Sequence, residues 1–225
     1  MNRTMDSKTL LIIGWNEGSK NIIYKLNSKY PHLLMCLIDN TLNTNPINEG
    51  IIHFIKGSSL YRETLIQANI FNADHILITS NHHKNERNAD KETILSLLTI
   101  KCLNPNAHCI VEILTDEQFN NAKRAGADEI ICSNILSAAS NLHRFSNEKN
   151  KLNLLEILSN DENVINCIKI PNNHINKTYS QYFKEVIEEG KVPLGITQGD
   201  HLSLNHYSKL KIQSGDNLVF IERID

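Results

Sequence analysis

The segment Thr9-Leu10-Leu11-Ile12-Ile13-Gly14-Trp15-Asn16-Glu17-Gly18-Ser19 constrains the fold of this chain more than any other. An apolar run stops at Gly14, a short turn follows, and a helical pattern starts near Ser19. A second apolar run, Leu33 to Ile38, ends in Asp39. This is the layout of a βαβ unit that holds a nucleotide or another small ligand, because strand-end glycine, helix dipole and acidic residue converge on one crevice. The glycine pattern is incomplete. Its first position is Gly14, but the second falls on Asn16 and the third on Ser19.

A chain of 225 residues buries a real core and accommodates one large domain or two small ones. Hydrophobic content of 40% and charged content of 21% are those of a soluble globular protein. A formal charge of -2 removes the electrostatic case for nucleic acid as a partner. No apolar run approaches the roughly 20 residues that span a bilayer, and Met1 to Lys8 is too polar for a signal peptide, so the expected location is the cytosol. The five cysteines, Cys36, Cys102, Cys109, Cys132 and Cys167, form no CxxC pair and read as buried, reduced thiols.

Short apolar runs alternate with helical patterns through the first half, the signature of a parallel sheet covered by helices. Strands are expected at Thr9–Ile13, Leu33–Ile38, Ile51–Ile55, His75–Thr79, His108–Leu114 and Glu129–Cys132. Helices are expected at Ser19–Asn27, Leu60–Ala68, Lys91–Leu103 and Asp116–Ala125, the last capped by Thr115 or Asp116 and stopped by Gly126. From Ser133 to Ser159 a broken helical pattern follows, with apolar faces at Ile135, Leu136, Ala139 and Leu142 and again at Leu152, Leu155 and Leu158. Those faces either pack on the parent sheet or exchange with a second subunit. The remainder reads as a small α+β module: strand Val164–Ile170, helix Thr178–Glu189, a hairpin of Pro193–Ile196 with Leu202–Leu204 about Gly199-Asp200, and strand Asn217–Glu222 after Gln213-Ser214-Gly215-Asp216. The fold class is therefore α/β, a Rossmann-like parallel sheet with a helical crossover and a small α+β C-terminal lobe, divided as 1–133, 134–160 and 161–225.

These pieces resemble a known family. Gly14-Trp15-Asn16-Glu17, Gly57-Ser58-Ser59-Leu60, Ala73-Asp74 and above all Ala122-Lys123-Arg124-Ala125-Gly126-Ala127-Asp128-Glu129-Ile130-Ile131 are similar to the TrkA-N half of an RCK (regulator of potassium conductance) domain. Gly199-Asp200 and Ser214-Gly215-Asp216-Asn217-Leu218 are similar to its TrkA-C half. The resemblance implies a ligand-sensing cytoplasmic domain of a two-helix bacterial potassium channel. It also implies pairing through the crossover helices and an octameric gating ring at the inner face of the membrane. A separate regulatory subunit of a Trk or Ktr transporter is the alternative. A small NAD(P)-dependent enzyme is the third class, and against it the C-terminal lobe offers no set of general acid, base and substrate clamp.

The resemblance implies an adenine nucleotide (ATP, ADP, AMP or NAD) as ligand and leaves a divalent cation open. Candidate nucleotide-binding residues are Gly14, Asn16, Ser19, Asp39, Gly57, Ser58, Thr79 and Glu112. Asp39 is expected to accept two ribose hydroxyls, and as a strand-end carboxylate to carry little of the packing, so that Asp39→Ala leaves the fold intact. Asn16 either donates to a phosphate or blocks a dinucleotide, while Ser19 and the helix it opens receive a phosphate. The family's usual Gly-Asp is Gly57-Ser58 here. Calcium-gated relatives carry three carboxylates where this chain has Thr79, Glu112 and Leu114, too few for calcium's six to eight oxygens. Glu112 is expected at the ligand crevice or a subunit contact. Asn81-His82-His83-Lys84-Asn85-Glu86-Arg87-Asn88-Ala89-Asp90 reads as a solvated loop before the Lys91 helix rather than a zinc site, with His82, His83, Lys84 and Arg87 within reach of a phosphate at Thr79. Trp15 is expected beneath the ligand or at the lobe contact.

Overall fold

The computed structural model describes residues 8–47, 50–138, 163–199, 201–204 and 211–223. The chain divides into two compact units, Met1–Asn141 and Leu142–Asp225.

In the first unit the strands are β1 (Thr9–Ile13), β2 (Leu34–Asp39), β3 (His53–Lys56), β4 (His75–Ile78), β5 (His108–Ile113) and β6 (Glu129–Cys132). All pair in parallel, in the order β3-β2-β1-β4-β5-β6. Strand order reverses at β1, so a crevice opens beyond the carboxyl ends of β1 and β4, the place where open sheets of this kind receive ligands. The strands are continuous apolar runs because both faces are covered. Leu10, Ile12, Met35, Leu37 and Leu77 pack on one face with Ile23 of α1 (Glu17–Lys29). Leu11, Ile13, Cys36, Ile38, Ile76 and Ile78 pack on the other. There they meet Leu65 of α2 (Arg62–Gln67), Leu97 and Ile100 of α3 (Glu86–Leu103) and Ala122 of α4 (Phe119–Arg124). Leu11 and Ile12 are fully buried in opposite clusters, and each such side chain contributes about 1.5–3 kcal/mol.

Two helices start earlier than their sequence pattern suggests. Helix α1 begins at Glu17 because Asn16 caps it, and α3 begins at Glu86 with Asn85 as its cap, absorbing Glu86–Asp90 of the tract expected to be a loop. The expected Asp116–Ala125 helix opens instead as a 3-10 turn, Asp116–Gln118. Thr115 does not cap that turn; its hydroxyl donates to Asp90 at 2.6 Å. The stop at Gly126 is a left-handed one (φ +99°), closed by Gly126 N–H to Lys123 and Ala127 N–H to Ala122.

The second unit is an antiparallel sheet in the order β7-β10-β8-β9, formed by β7 (Asn163–Lys169), β8 (Val192–Gln198), β9 (His201–Leu204) and β10 (Asn217–Arg223). Helix α5 (Tyr179–Glu188) covers it through Tyr179, Tyr182 and Val186, which pack with Ile170, Ile196, Leu218 and Phe220. Gly195 permits the β8–β9 pairing, since a Cβ there would lie 2.4 Å from the Ser203 carbonyl oxygen. Asp200 falls outside the described residues.

Only Cys36 and Cys109 fulfil the expectation of buried thiols, and burial pushes both up to about 11. Cys132 on β6 is half-buried, and Cys102 on α3 and Cys167 on β7 are exposed.

Candidate functional site

The turn after β1 is fixed by the sheet beneath it. Gly14 has φ +91°, and a Cβ there would lie 2.6 Å from Thr79 Oγ1, so glycine is required by the neighbouring strand end itself. Thr79 closes the contact by donating its hydroxyl to the carbonyls of Ile13 (3.0 Å) and Gly14 (3.1 Å). Asn16 and Ser19 then form a reciprocal cap. Ser19 N–H donates to Asn16 Oδ1 at 2.8 Å, and Asn16 N–H donates to Ser19 Oγ at 2.9 Å.

Asp39 at the end of β2 is buried and joins two turns. Its Oδ2 accepts the Trp15 N–H at 2.9 Å. Its Oδ1 accepts Thr41 N–H at 2.7 Å, Thr41 Oγ1–H at 2.6 Å and Leu42 N–H at 3.0 Å. A carboxylate offers about four lone-pair sites, so Oδ1 is saturated and Oδ2 keeps room for one further donor. The expectation of two ribose bonds is thereby reduced to one. The expectation of little structural weight also fails, because four chain donors depend on this carboxylate.

Gly14, Trp15, Asp39, Gly57, Ser58 and Thr79 line one cleft at the switch point. Its walls are Ile13, Ile38, Ile78 and Ala89, with the hydroxyls of Ser59, Thr93 and Ser96. Trp15 lines the cleft and packs against the core cluster of Leu10, Ile12 and Ile23, on the opposite face of the sheet from the wall residues Ile13, Ile38 and Ile78. Gly57 also has a packing reason: a Cβ there would lie 2.7 Å from Thr64 Cγ2 of α2.

The TrkA-N domain family model matches residues 10–133, more than half of the chain and all of the parallel sheet but Thr9. This chain belongs to the TrkA-N domain family. It is 40% identical over 151 residues to the putative potassium channel protein YugO of Bacillus subtilis, an alignment covering 64% of this chain and 46% of that protein. The chain thus spans less than half of that relative's length. The human SLO3 gating ring is similar in structure, with a TM-score of 0.71 at 16% identity, covering 96% of this chain and 44% of that one. The GsuK channel bound to NAD has a TM-score of 0.56 at 18% identity, covering 98% of this chain and 37% of that one. At those identities the two structures establish the fold. The family match stops at residue 133, so the likeness of the rest to a TrkA-C half rests on sequence pattern.

The TrkA-N cleft does not gather every candidate. Asn16 and Ser19 are absent from its walls, and Ser19 is fully buried in the cap. Glu112 lies one layer behind. It accepts Ser80 N–H at 2.8 Å and the Ser133 hydroxyl, while Ser80, a wall residue, donates its own hydroxyl to the Glu112 carbonyl at 2.8 Å. His82 sits 3.4 Å from Glu112. Lys84 pairs with Glu92 at 2.6 Å and Arg87 with Glu117 at 3.1 Å, so of the basic run His83 alone lines the cleft. Leu114, the third calcium-site position, is buried.

Residues 133–138 are helical, and there Ile135 and Leu136 are 49% and 52% exposed. Ala139, Leu142, Leu152, Leu155 and Leu158 lie outside the described residues.

Sequence reading missed the contribution of α3. Asp90 is fully buried and accepts Leu114 N–H at 2.8 Å and Thr115 N–H at 2.9 Å, anchoring α3 to the end of β5. Thr93 and Ser96 follow on the same face, with Ser96 Oγ 2.8 Å from Ser59 Oγ. The available signal was polar residues at positions 90, 93 and 96, a helical spacing shared with Leu97 and Ile100.

Proposed function

We propose that this chain is the ligand-sensing regulatory region of a potassium channel, binding an adenine nucleotide in the TrkA-N cleft and doing no chemistry of its own. The carrying observation is the convergence of Gly14, Asp39, Gly57, Ser58 and Thr79 on the switch-point cleft, with one acceptor site of Asp39 Oδ2 open to a hydroxyl. The identity to a putative potassium channel over 151 residues and the fold shared with a gating ring and an NAD-bound channel support the assignment. In this reading the region lies on the cytoplasmic side of a pore, pairs through the Ile135–Leu136 face, and assembles into a ring. Apolar side chains that stand open on a helix are covered in such a pairing.

The test leaves the fold untouched. Adenosine and its 2′-deoxy and 3′-deoxy analogues are titrated into the chain by calorimetry. Loss of the hydroxyl that meets Asp39 should weaken binding about tenfold, as for a hydrogen bond to a charged group. If no analogue differs from adenosine, Asp39 is not the ribose acceptor. For the channel itself, potassium flux through reconstituted protein carrying this region and its pore should change on adding the ligand. Flux indifferent to it overturns the gating role.

A further inference from the structure

The donors that a glycine-rich turn presents to a pyrophosphate are engaged by this chain itself. Gly14 N–H donates to the Ile38 carbonyl at 2.9 Å, and Trp15 N–H to Asp39 Oδ2 at 2.9 Å. Asn16 N–H is held by Ser19 Oγ and Ser19 N–H by Asn16 Oδ1. Glu17 and Gly18 are left to offer N–H groups, and the Glu17 carboxylate stands at that same point with its side chain 83% exposed. Its nearest cation, Lys20, is 3.4 Å away and itself 41% exposed. An acidic side chain in the first turn satisfies the helix dipole that would otherwise attract a phosphate.

The cleft walls repeat this. Among the described residues they carry Asp39 and Glu92 but no lysine or arginine, and His83 is their only basic ring. Lys84, the nearest cation in sequence, is held by Glu92. Between them stand apolar walls and the Ser59–Ser96 hydroxyl pair, suited to a base and a sugar.

We infer that the cleft selects a ribonucleoside or its monophosphate and discriminates against di- and triphosphates and dinucleotides. This rests on the nucleotide-binding reading above and narrows it. A single phosphate faces His83 at the cleft mouth. A second or third meets no cation, and at the two N–H groups left open, those of Glu17 and Gly18, it is repelled by the Glu17 carboxylate.

The chain is titrated in magnesium-free buffer with adenosine, AMP, ADP, ATP and NAD. AMP should bind about twofold to fivefold more tightly than ADP, ATP or NAD, the size of an unfavourable charge at a helix N-terminus. Glu17→Gln should tighten ATP about twofold to fivefold and leave adenosine unchanged. Because Glu17 is exposed, this substitution leaves the core alone. ADP, ATP or NAD binding more tightly than AMP overturns this inference while the nucleotide reading stands, and so does an ATP affinity indifferent to Glu17→Gln. A chain that binds none of the five overturns both.

Discussion

Asp39 Oδ2 accepts the backbone N–H of Trp15 at 2.9 Å, so the acidic residue that ends β2 is held by the turn that ends β1. The bond spans two strands that pair in register up to Ile13 and Ile38. It makes the site acidic residue part of the fold. Asp39→Asn must present an amide N–H₂ to one set of chain donors, either Trp15 N–H or those of Thr41 and Leu42. Such a loss inside a buried site destabilises by about 1–3 kcal/mol, read as a lowered urea midpoint at unchanged slope. A variant with the wild-type midpoint would show that these bonds contribute nothing.

Gly57→Ala should destabilise through Thr64 alone. The added methyl falls 2.7 Å from Thr64 Cγ2 and 2.9 Å from Thr64 Oγ1. Overpacking of this kind costs about 1–3 kcal/mol. In a Thr64→Ala background the same substitution should be near neutral, giving a strong coupling in a double-mutant cycle. Additive effects would place the constraint elsewhere.

His75 gives the first unit a pH-dependent contact. Lys8 Nζ lies 2.9 Å from His75 Nε2, and an ammonium only donates, so the ring must be neutral there. The second ring, His108, lies edge-on at 5.5 Å and bonds Glu129 at 2.8 Å. Burial, then Lys8 and His108, hold His75 below the ordinary 6.5, with Asp74 and Glu129 opposing in part. Below 6.5 the unfolded chain binds the proton that the folded chain refuses. The contribution is therefore complete above 6.5 and is lost as pH falls through the lower folded value. His75→Gln keeps an acceptor for Lys8 and removes the titration. The stability difference between wild type and this variant should favour wild type progressively less from pH 7.5 to 5; a constant difference refutes the contact's pH dependence.

Glu112 holds a cleft wall from behind, and its carboxylate is already engaged by Ser80 N–H and the Ser133 hydroxyl. Glu112→Ala should speed hydrogen exchange at the Ser80 amide and lower stability by about 1–3 kcal/mol. Millimolar calcium should shift the melting temperature of wild type and Glu112→Gln equally. A calcium response that vanishes with Glu112→Gln would mean that other residues complete a site around it.

The pairing face is testable at its described end. Leu136→Glu puts a charge on a half-exposed helical position, which a monomer tolerates within about 0.5 kcal/mol. If this face pairs, sedimentation should show wild type as a dimer at micromolar concentration and the variant as a monomer with an unchanged melting profile of the parallel-sheet unit. A monomeric wild type, or a variant still paired, removes the face from the assembly.

The sequence by itself determined the strand–helix alternation, the turn at Gly14, the stop at Gly126 and the acidic end of β2. Each of these is a local quantity. An apolar run bounded by glycine specifies a strand buried on both faces, and a left-handed turn needs glycine wherever it lies. Tertiary structure decided what those residues touch. Whether Asn16 meets a phosphate or Ser19, and whether Gly57 is bare for a ligand or for Thr64, depends on strand order and helix packing. Asp90 shows the limit most clearly: within its own tract it reads as a solvated loop carboxylate, and it becomes a buried anchor only because β4 and β5 are adjacent and bring the Leu114 and Thr115 N–H groups to it. Hydrogen-bond partners 24 or 32 residues apart, as at Asp39–Trp15 and Ser80–Glu112, are fixed by the folded chain's geometry. No periodicity along the chain encodes them.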